Sequence, residues 1–297
     1  MYELIQTGAR SFYINCPAKI GVFKIDDTRI CLIDSGSDKD AGRKVRQIMD
    51  REGWSLHAIV NTHSNADHIG GNKYLQQQTG CKIYAKGVEA AFTSHPQLEP
   101  AFLYGGYPFK DLRHKFLMAP ESQVCDISAM EEDTALSELE IIPLPGHFFE
   151  MIGVRTPDRT VFLADCLSSR ATLDKYKVSF IYDVSSYLQT LDRVMEMEAP
   201  LFVPAHAEAT DSIRDLAIYN KQCVHEIALK LLDICTIPQT FESILKMVFD
   251  DYGLTMSFQQ HVLVGSTIRS YLSWLKDEGR LTAYVEGNRM FWSVSEE

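Results

Sequence analysis

Thr62-His63-Ser64-Asn65-Ala66-Asp67-His68-Ile69-Gly70-Gly71 places three strong metal-ligand side chains, His63, Asp67 and His68, and one weak one, Asn65, within six residues. The apolar run His57-Ala58-Ile59-Val60 just before it reads as a buried strand ending at Asn61-Thr62. The cluster therefore falls on a loop at a strand's C-terminal end, where open α/β sheets bind ligands. Ile69-Gly70-Gly71-Asn72 followed by Lys73-Tyr74-Leu75-Gln76 predicts a helix starting directly behind that loop. Any one of these side chains alone would suit a polar contact or a helix cap; their spacing points to a metal site.

Upstream, residues 2–6, 11–15, 20–25 and Ile30-Cys31-Leu32-Ile33 read as short strands, and Asp34-Ser35-Gly36-Ser37 closes the last of them. Residues 39–52, with Ala41, Val45, Ile48 and Met49 apolar among charges, read as an amphipathic helix. Downstream, Cys81–Ala85 is the next strand. Residues 86–130 then lose clean periodicity and carry Pro96, Pro100, Gly105-Gly106, Pro108 and Pro120 with many aromatics, the signature of an irregular insertion or lid. Phe92, Phe102, Tyr104, Tyr107, Phe109 and Phe116 either line an apolar pocket or anchor this segment to the core.

The pattern of an apolar strand ending in a ligand-type residue then recurs three times. Leu139–Leu144 leads into Pro145-Gly146-His147, Val161–Ala164 into Asp165, and Leu201-Phe202-Val203-Pro204-Ala205 into His206. A carboxylate buried at a strand end is costly without a cation beside it. Residues 184–198 between them read as a helix.

These motifs, in this order, resemble those of the metallo-β-lactamase-fold superfamily, whose loop signature is His-x-His-x-Asp-His; Asn65 stands where the second His is usual. The resemblance covers roughly residues 1–210 and implies an α/β fold, an αββα sandwich. It implies that His63, Asn65 and His147 surround one metal, that Asp67, His68 and His206 surround a second, and that Asp165 bridges them. Asp34 would orient the loop from behind. Zinc, as one or two ions, is the expected cofactor, with iron or manganese as alternatives, because a neutral carboxamide oxygen is a poorer transition-metal ligand than imidazole. A metal-activated water would be the nucleophile and Asp67 would take part in proton transfer.

Residues 211–297 read as a separate small domain: helices at 211–235 and 239–251 around Pro238, a further helix ending at Gly279, and a hairpin from Leu281–Val285 and Met290–Val294. Helices followed by a two-stranded wing resemble the winged-helix domain at the end of some superfamily hydrolases. The segment holds eight Lys and Arg against twelve Asp and Glu, which argues for packing, dimerisation or a substrate-pocket role over duplex DNA recognition.

Composition bounds the function. The 297 residues are 45% apolar, enough for a large core, and the net charge of −11 argues against a general polyanion binder. Seven scattered cysteines without a Cys-x-x-Cys pair argue against a disulfide framework or a zinc knuckle; Cys166, next to Asp165, is the one expected to line the pocket, without binding metal. No apolar run reaches membrane-spanning length, and the N-terminal residues lack a basic and apolar leader pattern, so a cytoplasmic protein is expected. The expected function is a metal-dependent hydrolase acting on a small or medium-sized substrate. Thioester, ester or lactone cleavage, on the glyoxalase II-like side of the superfamily, ranks above β-lactam hydrolysis. The alternatives are a phosphodiesterase or ribonuclease acting on RNA or nucleotides, and a degenerate, non-catalytic metal-binding or scaffold member. Expected partners are a small-molecule substrate and a second copy of the chain, not a membrane.

Overall fold

The computed structural model describes residues 2–295. The chain runs β1 (Glu3–Gln6), β2 (Ser11–Asn15), β3 (Ile20–Lys24), β4 (Arg29–Ile33), α1 (Lys39–Glu52), β5 (Ser55–Val60), α2 (Ala66–Ile69), α3 (Asn72–Thr79) and β6 (Lys82–Ala85). It continues with α4 (Gly87–Ser94), α5 (Leu98–Tyr104), β7 (Cys125–Asp126), β8 (Glu140–Pro143), β9 (Ile152–Arg155), β10 (Thr160–Ser168), α6 (Arg170–Tyr176), α7 (Val184–Met195) and β11 (Leu201–His206). The last part holds α8 (Arg214–Ile234), β12 (Gln239–Thr240), α9 (Phe241–Asp251), α10 (Phe258–Asp277), β13 (Leu281–Glu286) and β14 (Arg289–Val294).

Strands β1 to β7 form one sheet in sequence order, and β11-β10-β9-β8 form a second. Side-chain alternation along each strand explains how the layers assemble. In β4, Cys31 and Ile33 join Phe23, Val60 and Tyr84 in a core shared with Val154 and Phe162 of the second sheet. Ile30 and Leu32 point the other way and pack with Ile59 against Val45, Ile48 and Met49 of α1 and Leu75 of α3. In β10, Phe162 faces the inter-sheet core, whereas Val161 and Leu163 face Leu191 and Val194 of α7 and Val224 of α8. Helix, sheet, sheet, helix is the result: the expected αββα sandwich. The apolar cluster outside the second sheet runs without a break into Leu245, Ile268, Tyr271, Leu272 and Trp292 of the C-terminal helices and hairpin.

The segment 86–130 is more ordered than its sequence suggests. Instead of an irregular loop it contains α4 and α5 and a short 3-10 turn at Lys110–Leu112. Both α-helices are under nine residues long, too short for a periodic pattern to register, and Pro100 is accommodated in the first turn of α5, where its missing N–H is not needed. Phe92 and Phe102 anchor the segment on Phe148 and Phe149. Tyr104, Tyr107, Phe109 and Phe116 remain exposed. No helix among the described residues is long and apolar enough to cross a membrane.

Candidate metal centre

Strands β4 and β5 are parallel, as are β10 and β11, so the residues that follow or end them collect at the same edge of each sheet. Asp34 follows β4, the His63–His68 loop follows β5, Asp165 lies within β10 and His206 ends β11. His147 arrives on the Pro145-Gly146 turn after β8. Gly146 has φ +122°, and a Cβ there would collide with the backbone of Tyr187, so this turn and α7 can approach only through glycine. Gly70 and Gly71 act similarly. A Cβ on either would strike the backbone carbonyl of Ser37 or Ser35, which lets the loop close against the turn after β4.

The structure brings His63, Asn65, Asp67, His68, His147, Asp165 and His206 into one centre. Asp165 occupies its middle: its carboxylate lies 3.0 Å from His68 Nε2, 3.7 Å from His147 Nε2 and 3.2 Å from His206 Nε2. Asp67 Oδ2 lies 3.3 Å from His206 Nε2 and 3.9 Å from His68 Nε2. The His63 and His68 rings are 4.1 Å apart. One ligand atom from each of His63, His68 and Asp165 falls within a single cluster of ion-holding dimensions; Asp67, His68 and His206 form another.

The outer nitrogen of each imidazole is held from behind. His68 Nδ1 donates to Asp34 at 2.8 Å, His147 Nδ1 to the Phe180 carbonyl at 3.0 Å, and His206 Nδ1 to the Pro17 carbonyl at 3.0 Å. Thr62 Oγ1 gives its own proton to Asp34 at 2.7 Å and so accepts from His63 Nδ1 at 3.0 Å. With every Nδ1 donating outward, all four Nε2 atoms turn inward. Partners of this kind fix tautomer and ring orientation for a metal. Asp34 also accepts from Thr62 N at 2.8 Å, behind the loop as expected.

Buried Nε2 atoms of His63 and His68 and the buried Oδ1 of Asp165 make no aligned hydrogen bond, the last two lying 3.0 Å apart without the geometry for one. Buried polar atoms are rarely left so. Divalent cations at the centre would satisfy all three, and an imidazole and carboxylate donor set suits a first-row transition ion. The residues present therefore fit the metal that the sequence motifs imply. Electrostatics agree. Burial and the neighbouring His68 hold His63 well below the usual histidine range, as a neutral ligand must be. Burial opposes charge on His68 too, but Asp165, Asp34 and Asp67 outweigh it and push its pKa well up; Asp165 foremost raises His206 to about 10. Backbone strain marks the same place: Asp34 (φ 66°) and Ala164 (φ 50°) adopt left-handed conformations, which cost a non-glycine residue roughly 1–3 kcal/mol each.

Two cavities open on the centre, and both touch His147 and Asp165. One, of 280 Å³, is lined by Ser37, Asn65, Asp67, Lys115, Phe116 and Gln259 among others; the second, of 200 Å³, by Ser168, Thr172, Tyr176, Tyr187 and Gln260. A larger groove of 880 Å³ between α5 and α10 touches none of the centre's side chains. Cys166, expected near the pocket, instead points into the core and is fully buried. Among the aromatics of 86–130, Phe116 lines a cavity at the centre.

Sequence reading missed two acids of that segment. Glu89, fully buried on α4, accepts from Ser64 N and Oγ at 3.0 and 2.6 Å and from Glu150 N at 2.9 Å, tying the loop to the turn that carries Phe149; burial raises its pKa to about 7. Glu99, on α5, is 5% exposed and accepts from Asn65 Nδ2 at 2.8 Å. Each is a lone acid among apolar neighbours, Val88-Glu89-Ala90-Ala91-Phe92 and Leu98-Glu99-Pro100-Ala101-Phe102, and that isolation was the available signal.

Comparison with known proteins identifies the family and the fold. The sequence model of the family described as "Metallo-beta-lactamase superfamily" fits residues 15–206. A hydroxyacylglutathione hydrolase of Rhodopseudomonas palustris (strain BisB18) is 28% identical over 141 residues, 46% of this chain and 45% of that protein. The Drosophila melanogaster beta-lactamase-like protein 2 homolog is 20% identical over 191 residues, covering 62% of this chain and 56% of its own length. The chain thus spans about half the length of these curated relatives. In three dimensions, a beta-lactamase domain protein from Burkholderia ambifaria superposes with TM-score 0.70 at 15% identity, over 99% of this chain and 94% of that one. A metallo-beta-lactamase family protein from Thermus thermophilus gives TM-score 0.69 at 13% identity, over 98% and 97%. Structural matches at such identity speak to the fold, and the family match to ancestry: the chain belongs to the metallo-beta-lactamase superfamily.

Proposed function

We propose that the protein is a metal-dependent hydrolase of small substrates, with thioesters, esters or lactones the favoured class. The observation that carries this reading is the convergence of the His68, His147 and His206 Nε2 atoms on the Asp165 carboxylate, with His63 in the same cluster of ion-holding dimensions. His63, Asn65 and His147 would hold one divalent ion, Asp67, His68 and His206 a second, with Asp165 shared; zinc is the leading choice. When bound, such ions supply a water nucleophile at neutral pH and polarise the scissile bond.

The chain's own groups do the rest. The Asp67 side chain is 45% exposed and faces the larger cavity, so it can receive a proton from the attacking water and return it to a leaving group. Neighbouring cavities of 200 and 280 Å³, both bounded by His147, Asp165, Phe180 and Leu263, offer room for a small ester or thioester. Among the described residues, Lys115 is the one Lys or Arg lining either cavity, and it is paired with Asp38 at 3.0 Å. A polyphosphate chain would find no cationic track there, which ranks RNA cleavage lower. The similarity to hydroxyacylglutathione hydrolases supports the thioester class. The C-terminal helices and hairpin, with a winged-helix-like order, contribute Gln259, Gln260 and Leu263 of α10 to the cavity walls, a role in shaping the pocket.

The test is a panel of acyl-thioesters, lactones, phosphodiesters and short RNAs offered to metal-replete protein, with His147→Ala alongside. Thioester or lactone turnover lost in the variant supports the proposal. RNA or phosphodiester cleavage alone would transfer it to the nuclease class, and no turnover in the presence of bound metal would favour a binding module.

A further inference from the structure

Asn65 occupies the N-cap position of α2 yet makes no side-chain capping bond. Its amide is committed elsewhere. Oδ1 sits 3.0 Å from His147 Nε2, and Nδ2 donates to Glu99 Oε1 at 2.8 Å. His147 has already placed its ring proton on Nδ1, facing the Phe180 carbonyl, so the neutral ring offers only a lone pair at Nε2. Two lone pairs thus face each other 3.0 Å apart, a spacing ordinary for two ligands of one cation.

The opposite amide orientation would be favourable without metal. Turned over, Nδ2 would donate to His147 Nε2 and cap the nitrogen that a metal needs. That flip would also break the 2.8 Å bond from Nδ2 to Glu99 Oε1 and turn Oδ1 toward that acceptor oxygen instead. Glu99 is buried, comes from the segment between β6 and β7, and lines the same cavity as Asn65 and His147.

We infer that Glu99 is a positioning residue for the first metal site: by accepting from Asn65 Nδ2 it fixes the carboxamide with its oxygen toward the metal position. Asn65 and Glu99 then act as one unit in place of the imidazole usual at this point of the loop. This rests on the ligand assignment proposed above. It also gives the 86–130 segment a function: α5 reaches into the centre to complete it.

Metal binding separates the two ideas. Purified full-length protein, Glu99→Gln and Glu99→Leu are titrated with Zn(II) against a chromophoric chelator, ions per chain are counted by elemental mass spectrometry, and Co(II) absorption is recorded. Wild type should bind two ions. Glu99→Leu, which removes the acceptor while filling much of the volume, should weaken the first ion about 10- to 100-fold and leave the second in place, the cost typical of losing a group that orients a ligand. Retention of the second ion shows that the centre is folded. Glu99→Gln keeps an acceptor for Nδ2 and should restore two ions, with a Co(II) spectrum like wild type. Glu99→Leu with two ions at wild-type affinity would overturn the inference while leaving the ligand assignment standing. First-ion loss in Glu99→Gln as severe as in Glu99→Leu would also overturn it, by making the carboxylate a ligand in its own right. A wild-type protein that takes no ion would remove the assignment itself.

Discussion

Asp34 and His68, thirty-four positions apart in sequence, meet through a 2.8 Å bond from His68 Nδ1 to the Asp34 carboxylate. The same carboxylate accepts from Thr62 N and Oγ1, so one side chain fixes both ends of the metal loop. Asp34→Asn should weaken metal binding about 10- to 100-fold with little change in secondary structure. Chelator competition measures the first quantity and circular dichroism the second; unchanged affinity would deny Asp34 its orienting role.

Removal of metal should cost stability. A ligand at a thousand times its Kd stabilises the folded state by about 4 kcal/mol per site, so EDTA-treated protein should melt on the order of 5 °C or more below the zinc-loaded form. Calorimetry on both forms decides this, and equal melting temperatures would argue against an ion at the centre.

Metal affinity should rise with pH. In the free protein His206 holds its proton to about pH 10, chiefly because of Asp165, and His68 is likewise raised. Their contribution to the stability of the metal-free fold is full below about 6.5, the free-histidine value, and is lost as pH rises through the folded values. An ion must displace those protons, so affinity should increase roughly tenfold per pH unit for each proton released between pH 6.5 and 9. Calorimetric titration in buffers of differing ionisation enthalpy counts the protons; a pH-independent affinity would contradict the assignment of His68 and His206.

Gly70→Ala should damage fold and centre together, since the added methyl meets the backbone of Ser37 and Asp38, neither of which can swing away. A loss of about 1–3 kcal/mol or more in urea unfolding is expected, with reduced metal stoichiometry. Tolerance of alanine there would show the turn after β4 to be softer than it looks.

Leu272→Ala, in α10, should cost about 2–5 kcal/mol and lower the single unfolding transition as a whole. Its cluster includes Leu163 and Leu191 beneath the second sheet as well as Leu245 and Trp292. Two separate transitions in calorimetry, with only one shifted, would show instead that the C-terminal segment folds by itself.

The sequence by itself determined the sandwich and most of the centre, because both are written locally. Apolar runs such as Ala58–Val60 and Val161–Ala164 read as strands buried on both faces, and each leads to ligand-type residues, so His63, His68, His147, Asp165 and His206 announce themselves by position along the chain. Tertiary structure alone decided what surrounds them. Which way an imidazole points depends on the Pro17 and Phe180 carbonyls, and backbone carbonyls carry no residue signature. Glu89 and Glu99 lie on helices too short to show a period, and only folding brings Glu99 within 2.8 Å of an asparagine 34 residues away. The surroundings of Asn65 were decided there too: in sequence it stands as a weakened ligand on a loop, whereas in the fold its amide lies between Glu99, 2.8 Å from Nδ2, and His147, 3.0 Å from Oδ1, contacts that depend on chain segments far from it in sequence.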